Sequence, residues 1–397
     1  MKKNAAIIGA AFLMATSAIG PGFITQTTVF TRQLLSSFGF VIIVSILLDI
    51  AAQLNIWRII TVKGKRAQDI ANELMPGMGY VLSFLIVFGG FAFNIGNIAG
   101  CGLGLNILVP LDRTLDLPAY GAWASAAIGI FILWFNQAGK ALDLFTRVMG
   151  ILMIALTLWI VLTAHPPYIQ VLRHSLMPET TDLKAIITLV GGTVGGYISY
   201  AGAHRLIDAG ITGQENTKEV SAGSIRAVLI ASVMRVLLFL AALGVILNGG
   251  ILDDKNPAAS VFRIAAGNWG YWIFGIVLWS ASITSVVGSA YTSISFIKSL
   301  HPSLEKNQRL LTSLFILLST FVLSYVGKPV KLLILAGALN GLILPISLGI
   351  ILLAPVKKGY LGTYRHPKAL LIAGWLVVLV MAWLSAMVLK NELPGIL

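Results

Sequence analysis

Two stretches of this 397-residue chain combine glycine, proline and small polar side chains inside otherwise apolar runs. The first reads Ser17-Ala-Ile-Gly20-Pro21-Gly22-Phe23-Ile-Thr25-Gln26-Thr27-Thr28. The second reads Gly191-Gly192-Thr193-Val194-Gly195-Gly196-Tyr197-Ile-Ser199-Tyr200. Proline removes a backbone donor and clashes with the preceding turn, while glycine makes left-handed and extended backbone cheap. Within a bilayer, the N–H and C=O groups freed by such a break must face protein, water or a ligand. Interrupted helices in corresponding positions of two halves are therefore the best pointer to a carrier's binding site. Glycines also allow helices to pack closely, and Gly191 with Gly195 fits that pattern too. The cluster Gly191, Gly192, Gly195 and Gly196, matched by Gly-Pro-Gly in the first stretch, favours true unwinding.

Charged side chains inside apolar segments form the second group. Asp49 and Arg235 sit near the middle of their segments. Intramembrane ionisable residues are costly and are functional candidates by default. They either pair structurally with one another, or Arg235 meets a substrate while Asp49 carries a coupling proton. His204, Arg205 and Asp208 close the segment holding the second break; a solvated helix end with a local ion pair is favoured there over a gate. His165, His174, His301 and His366 lie in connecting segments without metal-ligand spacing, and no nucleophile–base pair or phosphate loop is evident. A membrane-embedded enzyme would need convergent acids and histidines within spans, and only Asp49 qualifies.

The elements that hold these residues are membrane spans. The chain is 57% apolar and 11% charged, with a mean hydropathy of +0.89. A soluble domain needs about 25% charged residues. Apolar runs near 5–31, 38–60, 78–108, 119–137, 143–163, 184–204, 226–248, 269–297, 309–327, 331–353 and 369–390 are long enough for a ~30 Å hydrocarbon core. The expected fold class is an all-α membrane protein of about eleven helices in one domain spanning 1–397. The breaks fall in helices one and six, five spans apart. This predicts an inverted repeat of helices 1–5 (1–163) and 6–10 (184–353), with 369–390 as an extra helix.

The net charge of +13 resides in short connections, so it reads as orientation rather than nucleic-acid binding. With the N-terminus cytoplasmic and the C-terminus external, the inner loops hold Lys2, Lys3, Lys63, Lys65, Arg66, Lys140, Arg147, Lys298 and Lys357 among others. The outer loops, with Arg113, Lys255, Lys328 and Lys331, hold half as many basic residues overall. A signal peptide ending near Ala15–Ala18 is disfavoured because the apolar run continues past it. The single cysteine, Cys101, cannot form an internal disulfide.

The sequence resembles the NRAMP family of proton-coupled divalent-metal transporters over most of its length. Gly20-Pro21-Gly22-Phe23 stands where the family has Asp-Pro-Gly-Asn. Gly191-Gly192-Thr193-Val194-Gly195-Gly196-Tyr197 stands where it has Gly-Ala-Thr-Val-Met-Pro-His. Asp49-Ile-Ala-Ala-Gln-Leu, then Gly64-Lys65 and Asp69-Ile-Ala-Asn-Glu73-Leu, resemble its second helix and the stretch after it, and Asn340 to Pro345 resembles its tenth. The resemblance implies a LeuT-type fold and alternating access. It also implies that the metal ligands are absent: the aspartate falls on Gly20, the asparagine on Phe23, the methionine on Gly195 and the histidine on Tyr197. The acidic positions of span three fall on Asn94 and Asn97, and Arg235 stands where the family has a neutral polar residue.

Divalent cations want oxygen, nitrogen or soft sulfur ligands, and hard ones want carboxylate. The residues present suit a different ligand. Half-helix N-termini favour anions such as a substrate carboxylate. Thr25, Gln26, Thr193, Tyr197, Ser199 and Asn340 offer neutral hydrogen bonds, and Phe23 an apolar wall. The expected function is a secondary active transporter in the cell membrane for a small organic solute, such as a carboxylate or amino-acid derivative. Its expected binding residues are Gly20, Pro21, Gly22, Phe23, Gln26, Thr193, Gly195, Gly196, Tyr197 and Asn340. Asp49, Asn94, Asn97 and Arg235 are the expected coupling or gating residues. No catalytic residue, resident metal or cofactor is expected beyond a coupling proton or cation. The expected partners are the solute and the bilayer, with neither nucleic acid nor an obligate protein partner. The alternatives are a proton-coupled carrier of divalent metal and a non-transporting receptor or channel on the same scaffold.

Overall fold

A computed structural model describes residues 2–109, 119–297 and 302–392. Arg113, Lys298 and His301, and the side chains of Lys2, Lys3, Lys140 and Arg147, lie outside that description. The described elements are helical: α1 (Lys2–Ala18), α2 (Pro21–Leu34), α3 (Phe38–Lys63), α4 (Ala67–Leu74), α5 (Met78–Leu108), α6 (Ala119–Trp134), α7 (Asn136–Ala164) and α8 (Tyr168–Leu176). These are followed by α9 (Leu183–Thr193), α10 (Tyr197–Asp208), α11 (Thr217–Leu247), α12 (Pro257–Ile297), α13 (Pro302–Lys306), α14 (Gln308–Val326), α15 (Pro329–Leu352) and α16 (Lys368–Glu392).

Among the described residues, eight helical stretches are long and apolar enough to cross a bilayer by themselves. The shortfall against eleven has local causes. Span one is split, leaving Ala6–Ala18 as a short apolar piece before Pro21. Span four, Tyr120–Trp134, is also short, and Val148–Ala164 of span five bends by 106° into Tyr168–Leu176. Some expected connections are helical. The segment 164–183 contains α8, and α12 begins at Pro257, with Gly267 at φ 63° interrupting its regular geometry.

Burial grades the helices from centre to lipid. Every residue in the apolar window of α9–α10 is buried, against 33% for α14 and 28% for α16. The broken sixth span is thus the axis of the bundle, and the last helix is peripheral. Apolar side chains such as Phe84, Ile151, Phe321 and Tyr325 face outward. In soluble proteins large exposed apolar patches are rare, and a lipid belt accounts for them here. Inside, lipid supplies no hydrophobic drive between helices, so close approach through small residues does the packing. A Cβ on Gly191 would lie 2.0 Å from the Gly337 carbonyl and 2.3 Å from the Gly341 nitrogen. Gly341 in turn faces the Ile187 carbonyl, so α9 and α15 cross with their backbones in contact.

Candidate functional site

Both breaks are present. In span one the helix ends at Ala18, and Gly20 takes an extended conformation (φ −95°, ψ −175°) as the N-cap of α2. Pro21 then occupies the first turn, where its missing N–H is harmless. The unwinding therefore lies at 19–20, just ahead of Pro21, and Gly22 and Phe23 are already helical. In span six, Val194, Gly195 and Gly196 separate α9 from α10, and Gly196 has φ +53° and ψ −128°, outside the region open to most L-residues. The packing reading of the glycines also holds: Gly191 makes the contact with α15, while Gly195 and Gly196 make the break.

The expected residues gather into three groups around these breaks. Arg235 anchors the first. Its guanidinium carbon lies 4.1 Å from the centre of the Phe23 ring, and its Nη1 donates to Thr193 Oγ1 at 2.9 Å. The Asp49 carboxyl also meets the Thr193 hydroxyl and lies within the field of Arg235. Asp49 is 1% exposed and Arg235 2%. Arg235 Nε and Nη2 and Asp49 Oδ1 have no hydrogen-bond partner. The two intramembrane charges thus share one neighbourhood, connected through Thr193 at the end of α9.

Asn340 anchors the second group. Its amide nitrogen donates to the carbonyls of Gly89 (2.9 Å) and Ala336 (2.8 Å), while its Oδ1 is unpartnered. A Cβ on Gly196 would fall 1.6 Å from that Oδ1. Asn340 therefore holds α5 and α15 against the second break. Gln26 belongs beside it: Nε2 donates to the Leu333 carbonyl at 2.9 Å, and Oε1 stands where a Cβ on Gly192 would meet it at 2.6 Å.

The third group lines the face of α5 toward α12. Asn97 Nδ2 donates to Ser289 Oγ at 3.3 Å, and the Tyr197 hydroxyl hydrogen-bonds with both residues. From the Gly20 side, Ser285 Oγ and Asn97 Oδ1 lie 3.4 and 3.5 Å from where a Cβ would be. Pro21 packs on Gly100, where a Cβ would meet it at 2.2 Å. Phe93 stacks edge-on against Tyr197, ring centres 5.6 Å apart. Ser285, Ser289 and Ser293 are not among the residues expected from sequence. Their spacing of four puts them on one helix face, a signal readable in Trp279–Ser295 but masked by the serine and threonine content around it. Thr25 is buried, and Ser199 Oγ donates to the Val194 carbonyl at 2.8 Å, closing the end of the break.

Around the end of α10 the local Arg205–Asp208 pair gives way to a longer contact. Asp208 pairs with Arg66, 2.7 Å away in the segment between α3 and α4, and the buried His204 accepts from the Ala67 N–H at 3.2 Å. The reason is geometric: α10 is held against α3 by the Trp57 indole, which donates to the Ser199 carbonyl at 2.9 Å. Nearby, Lys65 binds Glu73 and Tyr360 donates to it at 2.8 Å, and these bonds hold the Glu73 carboxyl below its ordinary pKa.

A family model described as "Natural resistance-associated macrophage protein-like" matches residues 11–390. The chain is 54% identical over 388 residues to the membrane protein YcsG of Bacillus subtilis, covering 98% of this chain and 95% of that protein. It is 55% identical over 380 residues to a membrane protein of Haemophilus influenzae, covering 96% and 94%. Among solved structures, a point mutant of a manganese transporter of Eremococcus coleocola superposes with a TM-score of 0.76 at 16% identity, covering 99% of this chain and 88% of that one. MhsT in complex with L-phenylalanine superposes with a TM-score of 0.66 at 15% identity, covering 96% and 98%. At those identities the likeness speaks for the fold, which MhsT and the manganese transporter share with this chain. With its two broken helices and a family match along nearly its whole length, this multi-pass membrane protein belongs to the NRAMP family of transporters.

Proposed function

We propose that this protein is a secondary active transporter that carries a small organic solute bearing a carboxylate, by alternating access around the breaks of spans one and six. One observation carries the reading: Arg235, 2% exposed, keeps two guanidinium donors unpartnered beside the first turn of α2. Although Asp49 lies in its field, buried N–H donors left without an acceptor are costly, and a carboxylate that accepts from this planar fork would relieve that cost. The N-terminal turn of α2 adds the positive end of a helix dipole at the same place. A cavity of about 410 Å³ near the ends of α5, α14 and α15 further supports an anion, because Lys255, Lys328 and Lys331 line it. Among the described residues that line it, the one acid, Asp254, is bound to Arg32 at 2.6 Å.

In this reading the N-terminus is cytoplasmic, the C-terminus and the lysine-lined cavity are external, and 1–163 and 184–353 are the two repeats beside the extra helix 369–390. Asp49 is the residue that carries the coupling proton. Among the described residues no group of three or more His, Cys, Asp or Glu side chains is placed to hold a metal ion.

A second reading, transport of a divalent cation, is favoured by the unpartnered Asp49 Oδ1 near the second break and by the printed name of the Eremococcus coleocola manganese transporter. A thermal-shift screen of the purified protein separates the two, since a ligand bound only to the folded state raises its melting temperature. Short carboxylates are expected to raise it and Mn²⁺ to leave it unchanged. Mn²⁺ binding in calorimetry that disappears in Asp49→Asn would overturn the carboxylate reading.

A further inference from the structure

We propose that the face between α5 and α12 recognises the uncharged end of the solute, a group that both donates and accepts hydrogen bonds, with an amide as the simplest case. This rests on the carboxylate reading above, which gives the charged end to Arg235.

The face is built from two helices in register. On α5, Asn94 lies four residues after Gly90 and three before Asn97, so the three share one side of the helix. A Cβ on Gly90 would meet Ser293 Oγ at 2.0 Å, and Asn97 bonds Ser289. The matching side of α12 therefore carries Ser285, Ser289 and Ser293. This seam adjoins both breaks, through Gly20 beside Ser285 and Asn97 and through Tyr197 beside Asn97 and Ser289.

Several of its polar groups are unsatisfied. Asn94 is fully buried, and neither its Oδ1 nor its Nδ2 has a partner. Ser285 Oγ and Ser293 Oγ are also buried and unpartnered. Most buried polar atoms in folded proteins are hydrogen-bonded, so several orphans on one seam call for a ligand.

The chemistry of these orphans selects among ligand groups. All are neutral, so an ammonium or second carboxylate would be buried there without a counter-charge. An alkyl group would leave the orphans unpaired. A carboxamide offers one donor edge and one acceptor edge, and a ligand amide is its complement. Gly20 at the seam and Phe23 under Arg235 lie about one helical turn apart on span one, which suits a solute of a few carbons with a polar group at each end.

Four matched four-carbon acids test this on the purified full-length protein: succinamate, butyrate, succinate and 4-aminobutyrate, read by calorimetry and thermal shift. Succinamate is expected to bind tightest. Asn94→Leu, close in volume, is expected to weaken succinamate by about tenfold, the scale of a lost hydrogen bond or two, and to strengthen butyrate, whose alkyl end no longer leaves that amide unpaired. Ser293→Ala, which only removes a hydroxyl, should produce a smaller loss of the same selectivity and covers the case in which Asn94→Leu fails to fold. Equal binding of butyrate and succinamate, or a preference that survives a folded Asn94→Leu, would overturn the proposal. If Arg235→Met still abolishes binding of the acids in that case, the carboxylate reading stands without it. Failure of all four acids to bind the wild type defeats both.

Discussion

The guanidinium of Arg235, on α11, lies over the ring of Phe23 in the first turn of α2. The carbon-to-centroid distance is 4.1 Å, and both residues are buried. A cation over an aromatic face in a desolvated site is worth about 2 kcal/mol. Arg235→Met is therefore expected to abolish uptake of the proposed carboxylate solute. Arg235→Lys should fail to restore it, because a point charge cannot replace a planar fork. Phe23→Leu keeps the apolar wall but loses the ring face, and a severalfold weaker affinity is expected in binding assays. Intact uptake in Arg235→Met would remove that residue from the binding site.

Asp49 and Arg235 also predict a particular non-additivity. Each is nearly fully buried, and each is the other's nearest means of charge compensation through Thr193. Removing one leaves the other as an uncompensated charge, which costs about 3–5 kcal/mol in buried pairs. Asp49→Asn and Arg235→Met should each lower the melting temperature markedly. The double variant should be more stable than the sum of the single effects predicts, and chemical unfolding of all four proteins measures the coupling. Strict additivity would mean the two charges do not interact.

How far these features were readable in the sequence depends on whether they are local. The break before Pro21 and the break at Gly195–Gly196 follow from residue types whose backbone preferences hold in any context. Asp49 and Arg235 stand out because charge inside an apolar run has few explanations. The partnership of Arg235 with Phe23 was not readable, because α2 and α11 are far apart in sequence and only packing joins them. The serines of α12 were hidden for a different reason: serine in a membrane helix commonly bonds its own backbone, as Ser282 does to the Leu278 carbonyl at 2.6 Å. Only the absence of partners separates Ser285 and Ser293 from such serines. The Arg66–Asp208 pair replaced a sequence-local one because α10 and the segment after α3 are pressed together.

Gly191 and Gly196 should respond differently to the same substitution. In Gly191→Ala the new methyl meets backbone on α15 at 2.0 and 2.3 Å, and backbone cannot rotate away. Separation of α9 from α15 and a lower yield of folded protein are expected. In Gly196→Ala the obstacle is the Asn340 side chain, together with a positive φ that costs about 1–3 kcal/mol for a residue with a Cβ. Adding Asn340→Ala should relieve the clash but not the backbone strain, giving partial recovery of melting temperature. No rescue in Gly191→Ala by the same second change separates the two mechanisms.

The lysine-lined cavity makes the carboxylate reading sensitive to salt. Lys255, Lys328 and Lys331 are exposed, so their field reaches approaching ions and is screened over about 8 Å at physiological ionic strength. Raising salt should increase KM for an anionic solute and leave the maximal rate unchanged. Replacing all three lysines by glutamine should raise KM at low salt and flatten the dependence. A KM that falls with added salt would point to a cationic cargo.

His366 gives the fold a pH response that can be assigned to one group. Asn55 spends its amide nitrogen on the Ala51 and Leu370 carbonyls, so its Oδ1 must accept from His366 Nε2–H at 2.8 Å. The other ring nitrogen, Nδ1, then accepts from the Tyr364 hydroxyl at 3.3 Å. This arrangement requires a neutral imidazole. Burial, with the Arg58 charge adding to it, holds the His366 pKa down at about 4 against an ordinary value of 6.5. Because the folded-state value is the lower one, the unfolded chain takes up the proton first as pH falls. The stabilising contribution is therefore complete above about pH 6.5 and is lost progressively as pH drops toward 4. Melting temperatures of the wild type should decline across that window. His366→Gln keeps a donor for Asn55 but cannot titrate, so its curve should be flatter there and converge on the wild type at the acidic end. Parallel curves for the two proteins would place the pH sensitivity elsewhere.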